Sequence, residues 1–173
     1  MKRTAFLSAS AALALTPRLA RADVALSVMT LPIDQGAQAF YAQDLGMFKQ
    51  AGLDAQVSIT NFGTQVAAAV AGGSIEIGQS NVISLAAAHE RGLPFALIAA
   101  AGLYSTVKPT SMMIVDKNSP LKTAKDLDGK TVAVNGLKSI TQISVQAWAD
   151  QNGGDSQQIK FVEMPFVEME GAL

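Results

Sequence analysis

Apolar and polar positions alternate through VALSVM (residues 24–29), and Thr30-Leu31-Pro32 ends the run, which predicts a strand over Val24–Met29. Ala37, Phe40, Tyr41, Leu45 and Phe48 then recur at helical spacing. They predict one helix over Ala37–Ala51, with Gly46 admitted inside it for close packing and Gly52 as its C-terminal cap. Alternation returns at Leu53, Ala55, Val57 and Ile59, a second strand. Asn61-Phe62-Gly63-Thr64 opens a helix over Gln65–Ala71, closed by Gly72-Gly73. Ile75–Ile77 is a short strand, Gly78-Gln79-Ser80-Asn81 opens a helix to Arg91, and the apolar run Phe95–Ala101 is a further, buried strand. Strands and helices in strict alternation predict an α/β fold with a mainly parallel sheet.

The pattern shifts after Gly102. Residues 102–109 form an irregular connection carrying Tyr104, Ser111–Val115 reads as a strand, and a helical turn runs from Ser119-Pro120 to Leu127. DLDGKTVAVNGLKSITQISVQAWADQNGG (residues 126–154) follows. Gly129 is a turn, Thr131–Val134 a strand, Asn135-Gly136 a break, and Ser139 and Thr141 stand where a helix begins. Ile159–Glu163 is another strand, and a helix follows Pro165. The chain stops at Leu173 inside that helix without a cap or glycine, and the expectation is a truncated form.

The first residues change the picture of where the chain works. Lys2 and Arg3 precede the apolar run Ala5–Leu15, Pro17 and Arg18 end it, and Ala20-Arg21-Ala22 fits a small-x-small cleavage pattern. Residues 1–22 are therefore expected to be a signal peptide, with Asp23 as the mature N-terminus. Without Lys2, Arg3, Arg18 and Arg21, nine basic residues stand against fourteen acidic ones, a balance that argues against nucleic-acid binding. There is no cysteine, hence no disulfide framework, no thiol chemistry and no cleavage-site residue for lipid attachment. The mature chain is expected to be soluble in the periplasm of a Gram-negative cell.

Catalytic constellations are thin. His89 is the single histidine and lies mid-helix beside Glu90 and Arg91, which speaks against a metal site. No G-x-S-x-G elbow, Walker loop or G-x-G-x-x-G loop occurs. The paired carboxylates Asp126/Asp128 and Glu168/Glu170 fall in a turn and at a helix start, where solvation or the helix dipole accounts for them. No catalytic residue, metal or cofactor is expected. What recurs is a strand, a glycine or polar loop, then a helix, at residues 31–36, 61–64, 78–81 and 135–141. In parallel sheets such loops share the carboxyl edge, where helix N-termini present free N–H groups to a ligand. Each polar residue could instead cap only its own helix.

YAQDLGMFKQAGLDAQVS, AVAGGSIEIGQSN, SPLKTAKDLDGKTVAVNG and WADQNGGDSQQIKFVEMPF, in that order, resemble the substrate-binding proteins of ABC importers of the nitrate/sulfonate/taurine type, relatives of pyrimidine-precursor binders. The resemblance covers nearly all of residues 24–173. It implies a periplasmic-binding-protein-like (type II) fold of two α/β lobes that close on a ligand. Residues 23–107 would form the first lobe, incomplete without a returning C-terminal segment, and residues 108–173 the start of a truncated second lobe.

By position, the resemblance implies ligand contacts from Pro32, Asp34 and Gln35, from Gly63 and Thr64, from Ser80 and Asn81, from Tyr104 near the hinge, and from Lys138, Ser139 and Thr141. NGLKSIT is longer than the compact glycine-serine turn of many members, and Glu76 stands where aspartate is usual. The implied function is binding of a small anion resembling a sulfonate, nitrate or taurine by a monomer, and its delivery to an inner-membrane permease. The alternatives are a pyrimidine-like heterocycle as ligand, or an enzyme of the pyrimidine-precursor-synthesis type on the same fold. A cysteine-rich motif is lacking for the latter.

Overall fold

The computed structural model describes residues 23–173, and the expected signal peptide, residues 1–22, lies outside them. The alternating VALSVMT run forms β1 (Val24–Thr30) and LDAQVSI forms β2 (Leu53–Ile59). They pair in parallel from Val24↔Leu53 to Thr30↔Ile59. β3 (Ile77–Gly78) pairs in parallel with Val28 and Met29 on the other side of β1, giving the order β2-β1-β3. One face of this sheet carries Leu26, Val28, Leu53, Ala55 and Val57; the other carries Ser27, Asp54, Gln56 and Ser58. The sequence alternation thus becomes a two-faced sheet.

β3 is shorter than the predicted Ile75–Ile77 strand. The Glu76 carboxylate accepts the Ser27 N–H (2.7 Å) and the Ser27 hydroxyl, taking the place of a ladder carbonyl. The Ser27 hydroxyl, then the Ser27 N–H, hold this carboxyl below its ordinary pKa.

The predicted single helix over Ala37–Ala51 is two. α1 (Ala37–Asp44) ends, and α2 (Met47–Gln50) restarts beyond Gly46, which adopts φ +67. A Cβ at Gly46 would meet nothing within 4 Å. This glycine therefore serves the left-handed backbone and not close packing. Tyr41 and Leu45, two of the helically spaced apolar residues, are exposed. α3 (Gly63–Ala71) and α4 (Val82–Glu90) form as predicted, and Val66 of α3 is fully buried.

Neither Phe95–Ala101 nor Ser111–Val115 forms the predicted strand. Leu97, Ile98 and Met112 are each at least 70% exposed. An apolar run specifies burial but not a partner, and among the described residues no strand pairs with either segment.

A second unit follows. Its parallel pair is β4 (Thr131–Val134) and β5 (Lys160–Glu163), in register from Thr131↔Lys160 to Val134↔Glu163. α5 (Ile140–Gln151) crosses between them, and α6 (Phe166–Met169) follows Pro165. Leu127, Ala149 and Ile159 form its core, packed with Leu121, Val132, Val145 and Phe161. α4 and α5 are in contact. No helix of the described residues is long and apolar enough to cross a membrane.

A capping box starts the 3-10 turn Ala124–Leu127. Asp126 accepts from the N–H groups of Lys122 (2.9 Å) and Thr123 (2.8 Å) and from the Thr123 hydroxyl. The Lys122 N–H first, then those from Thr123, hold its carboxyl below the ordinary value. A lowered folded pKa contributes stability that is present above the unfolded pKa and lost as pH falls through the folded one. Asp126→Asn should therefore lower the urea midpoint at about pH 7 and shrink the loss seen on acidification to about pH 3. Identical midpoint-versus-pH curves for the two proteins would contradict this.

Candidate functional site

Because β1, β2 and β3 run parallel, the loops that follow them emerge at one edge. The order β2-β1-β3 places the topological switch point between β1 and β3, flanked by residues 31–36 and 79–81. Both loops are fixed there by buried polar contacts. Thr30, 2% exposed, donates its hydroxyl to Gln79 Oε1 (2.5 Å) and lies 3.3 Å from the Gly36 carbonyl. Leu31 N–H also donates to Gln79 Oε1 (3.3 Å). Asp34 and Gln35 belong to the 3-10 turn Asp34–Gly36. Pro32 and Asp34 are exposed, and Gln35 packs against Gly102.

The loop after β2 joins them. Gly63 is buried at the start of α3, and its Cβ position lies 3.9 Å from both Ser80 Oγ and Asn81 Nδ2. No side chain caps α3; Gln65 and Val66 N–H bond the Phe62 carbonyl, and the Gly63 and Thr64 N–H groups have no acceptor among the described residues. Ser80 Oγ is buried without a hydrogen-bond partner among the described residues. Asn81 is occupied: its Oδ1 accepts Ser84 N–H (3.0 Å) as the N-cap of α4. Open helix N–H groups beside a buried, unpaired hydroxyl favour an acceptor-rich or anionic group. A hollow of about 370 Å³ lies at the opposite, amino-terminal end of the sheet, lined by Asp23, Val24, Lys49 and Leu53.

The loop after β4 is arranged differently. Ser139, 5% exposed, donates to the Gly136 carbonyl (2.6 Å) and bonds Thr141 Oγ1 (2.9 Å), and Thr141 bonds Asn135 Oδ1 (2.8 Å). Leu137 N–H donates to Glu163 Oε2 (3.0 Å) and Lys138 N–H to Gln142 Oε1 (2.7 Å). Lys138 takes φ +57, the left-handed region that residues other than glycine seldom adopt. The two hydroxyls therefore hold their own loop, and the helix N–H groups of Ile140, Thr141 and Gln142 have no acceptor among the described residues. Ser139→Ala should cost about 1 kcal/mol by unpairing the Gly136 carbonyl. The urea unfolding midpoint checks this, and no shift would contradict it.

Tyr104 is 58% exposed in a segment without regular structure, and its side chain makes no hydrogen bond among the described residues. Among the described residues no hydrogen bond joins the loops of the first sheet to residues 135–141. The structure therefore brings together residues 31–36, 63–64 and 80–81, and separately 135–141. Sequence reasoning missed Thr30, Gln79, Gln142 and Glu163. Their only signal was position, each lying at a strand end, in a loop after a strand, or in the first turn of a helix.

This arrangement, parallel α/β units with donor-rich loops at one sheet edge, is a fold shared with two solved structures. The alkanesulfonate-binding protein SsuA from Xanthomonas axonopodis pv. citri bound to MOPS matches with TM-score 0.63 and 16% identity over 88% of this chain and 52% of that one. The periplasmic aliphatic sulphonate binding protein SsuA from Escherichia coli matches with TM-score 0.54 and 18% identity over 86% of this chain and 47% of that one. The chain thus spans about half the length of these structures. The NMT1/THI5-like family model matches residues 35–173, and the chain belongs to that family. No curated protein matches it in sequence.

Proposed function

We propose that the chain is the solute-binding component of an ABC importer, working in the periplasm after removal of residues 1–22. It binds a small oxyanion, a sulfonate before nitrate or taurine, and passes it unchanged to an inner-membrane permease. The observation that carries this reading is the buried, unpaired Ser80 hydroxyl beside the uncapped start of α3 at the switch-point edge. An oxyanion there would satisfy donors that the fold leaves open, as helix N-termini do for anions generally. In the two-lobe reading, residues 23–107 form one lobe and residues 108–173 begin the other, with residues 135–141 as the opposing jaw, and the protein acts as a monomer. The two solved structures above are of binding proteins, which supports binding over turnover.

A thermal-shift screen tests the proposal, with ethanesulfonate, MOPS, taurine, nitrate and sulfate set against neutral and cationic compounds. Sulfonates are expected to raise the melting temperature with rising concentration, as any ligand selective for the native state does. Stabilisation by cations alone, or by none of the compounds, would contradict the reading.

A further inference from the structure

We infer that Gln79 determines specificity for the oxyanion, by presenting its side-chain amide as a fixed donor at the switch point. The inference rests on the binding function proposed above and adds to it a residue and a selection rule. Three observations carry it.

Gln79 directly follows β3, opposite the end of β1, on the crevice where ligands sit in open parallel sheets. Its orientation is fixed by chemistry: the Leu31 N–H can only donate, so the amide oxygen faces it (3.3 Å), and the Thr30 hydroxyl then donates to the same oxygen at 2.5 Å. Thr30 is almost fully buried, so the anchor does not move with solvent. The third observation is what remains. With Oε1 taken, Nε2 has no partner among the described residues, and both of its N–H donors are free. Gly36 keeps this arrangement possible, since a Cβ there would lie 3.0 Å from Gln79 Oε1. A donor held by a buried hydroxyl loses little freedom when a ligand arrives, which favours ligands that bring an acceptor.

Gln79→Glu separates this role from a structural one. A carboxylate oxygen still accepts from Thr30 and Leu31, while the outward atom changes from donor to anionic acceptor. The probe is ethanesulfonate, whose sulfonate stays ionised throughout the pH range used. Calorimetric affinity at about pH 7 is expected to fall roughly 10- to 100-fold, the worth of a hydrogen bond to a charged group. It should recover as the pH is lowered through about 4, where the new carboxyl protonates, while wild-type affinity stays level over the same range. Gln79→Met, which removes the donors without adding charge, should lose affinity with no such recovery. Wild-type chain that binds ethanesulfonate, together with Gln79→Glu and Gln79→Met variants that bind it equally well, would overturn the role of Gln79 and leave the function standing. A wild-type chain that binds no sulfonate would overturn the functional reading and this inference together.

Discussion

Gly36→Ala is expected to lower stability by roughly 1–3 kcal/mol or more and to disorder the first loop. The added Cβ would lie 2.0 Å from the Leu31 carbonyl oxygen and 2.6 Å from Thr30 Oγ1. The first obstacle is backbone and the second is a buried hydroxyl already committed to Gln79. Neither can step aside as a flexible side chain would. Gly36 itself has an ordinary φ of −77, so the cost is one of space and not of backbone conformation. Urea unfolding followed by far-UV circular dichroism should show a lower midpoint with the same slope. Sulfonate affinity should fall with it, because residues 31–36 and Gln79 share this contact. An unchanged midpoint would mean that the loop is not packed as described.

The second large effect is at Gly78, and it comes with a rescue. A Cβ there would lie 2.4 Å from Val66 Cγ1 and 2.8 Å from Val70 Cγ2, between β3 and α3. Val66 is 1% exposed and its β-branched side chain has little rotamer freedom in a helix. Gly78→Ala should cost roughly 1–3 kcal/mol through overpacking. Val66→Ala alone should also destabilise, by leaving a void. Combined, the alanine at 78 fills space that Val66 vacates, so the double variant should be more stable than the sum of the single losses. Additive losses in the double-mutant cycle would show that the two positions do not meet.

Gly78 and Gly36 also show why the sequence reveals some parts of this fold and conceals others. The alternation in VALSVM and LDAQVSI reports directly which face of β1 and β2 meets the core, so the strands, their parallel arrangement and the loop edge were legible. Helical spacing located α3, α4 and α5 for the same reason. It misled at Gly46, because a φ of +67 interrupts the backbone without interrupting the apolar pattern. It misled again at Phe95–Ala101 and Ser111–Val115, where apolarity announces burial but cannot name the strand alongside.

For the site, the loops were found from their polar residues, yet their division of labour was not. Asn81, Ser139 and Thr141 bond their own loops, whereas Ser80 keeps an open hydroxyl. Telling those cases apart needs distances across 48 or 49 residues, such as the contacts of Gln79 with Leu31 and Thr30. No local pattern encodes them.

The central claim is reversible binding of an oxyanion at the switch-point edge, without turnover. The measurement that tests it most directly is calorimetric titration of the chain with ethanesulfonate, followed by recovery and analysis of the ligand. The expected result is saturable binding to one site per chain, weakened by a change at Gln79, with the sulfonate recovered intact. Absence of saturable heat, or a sulfonate consumed in proportion to time and protein, would contradict it.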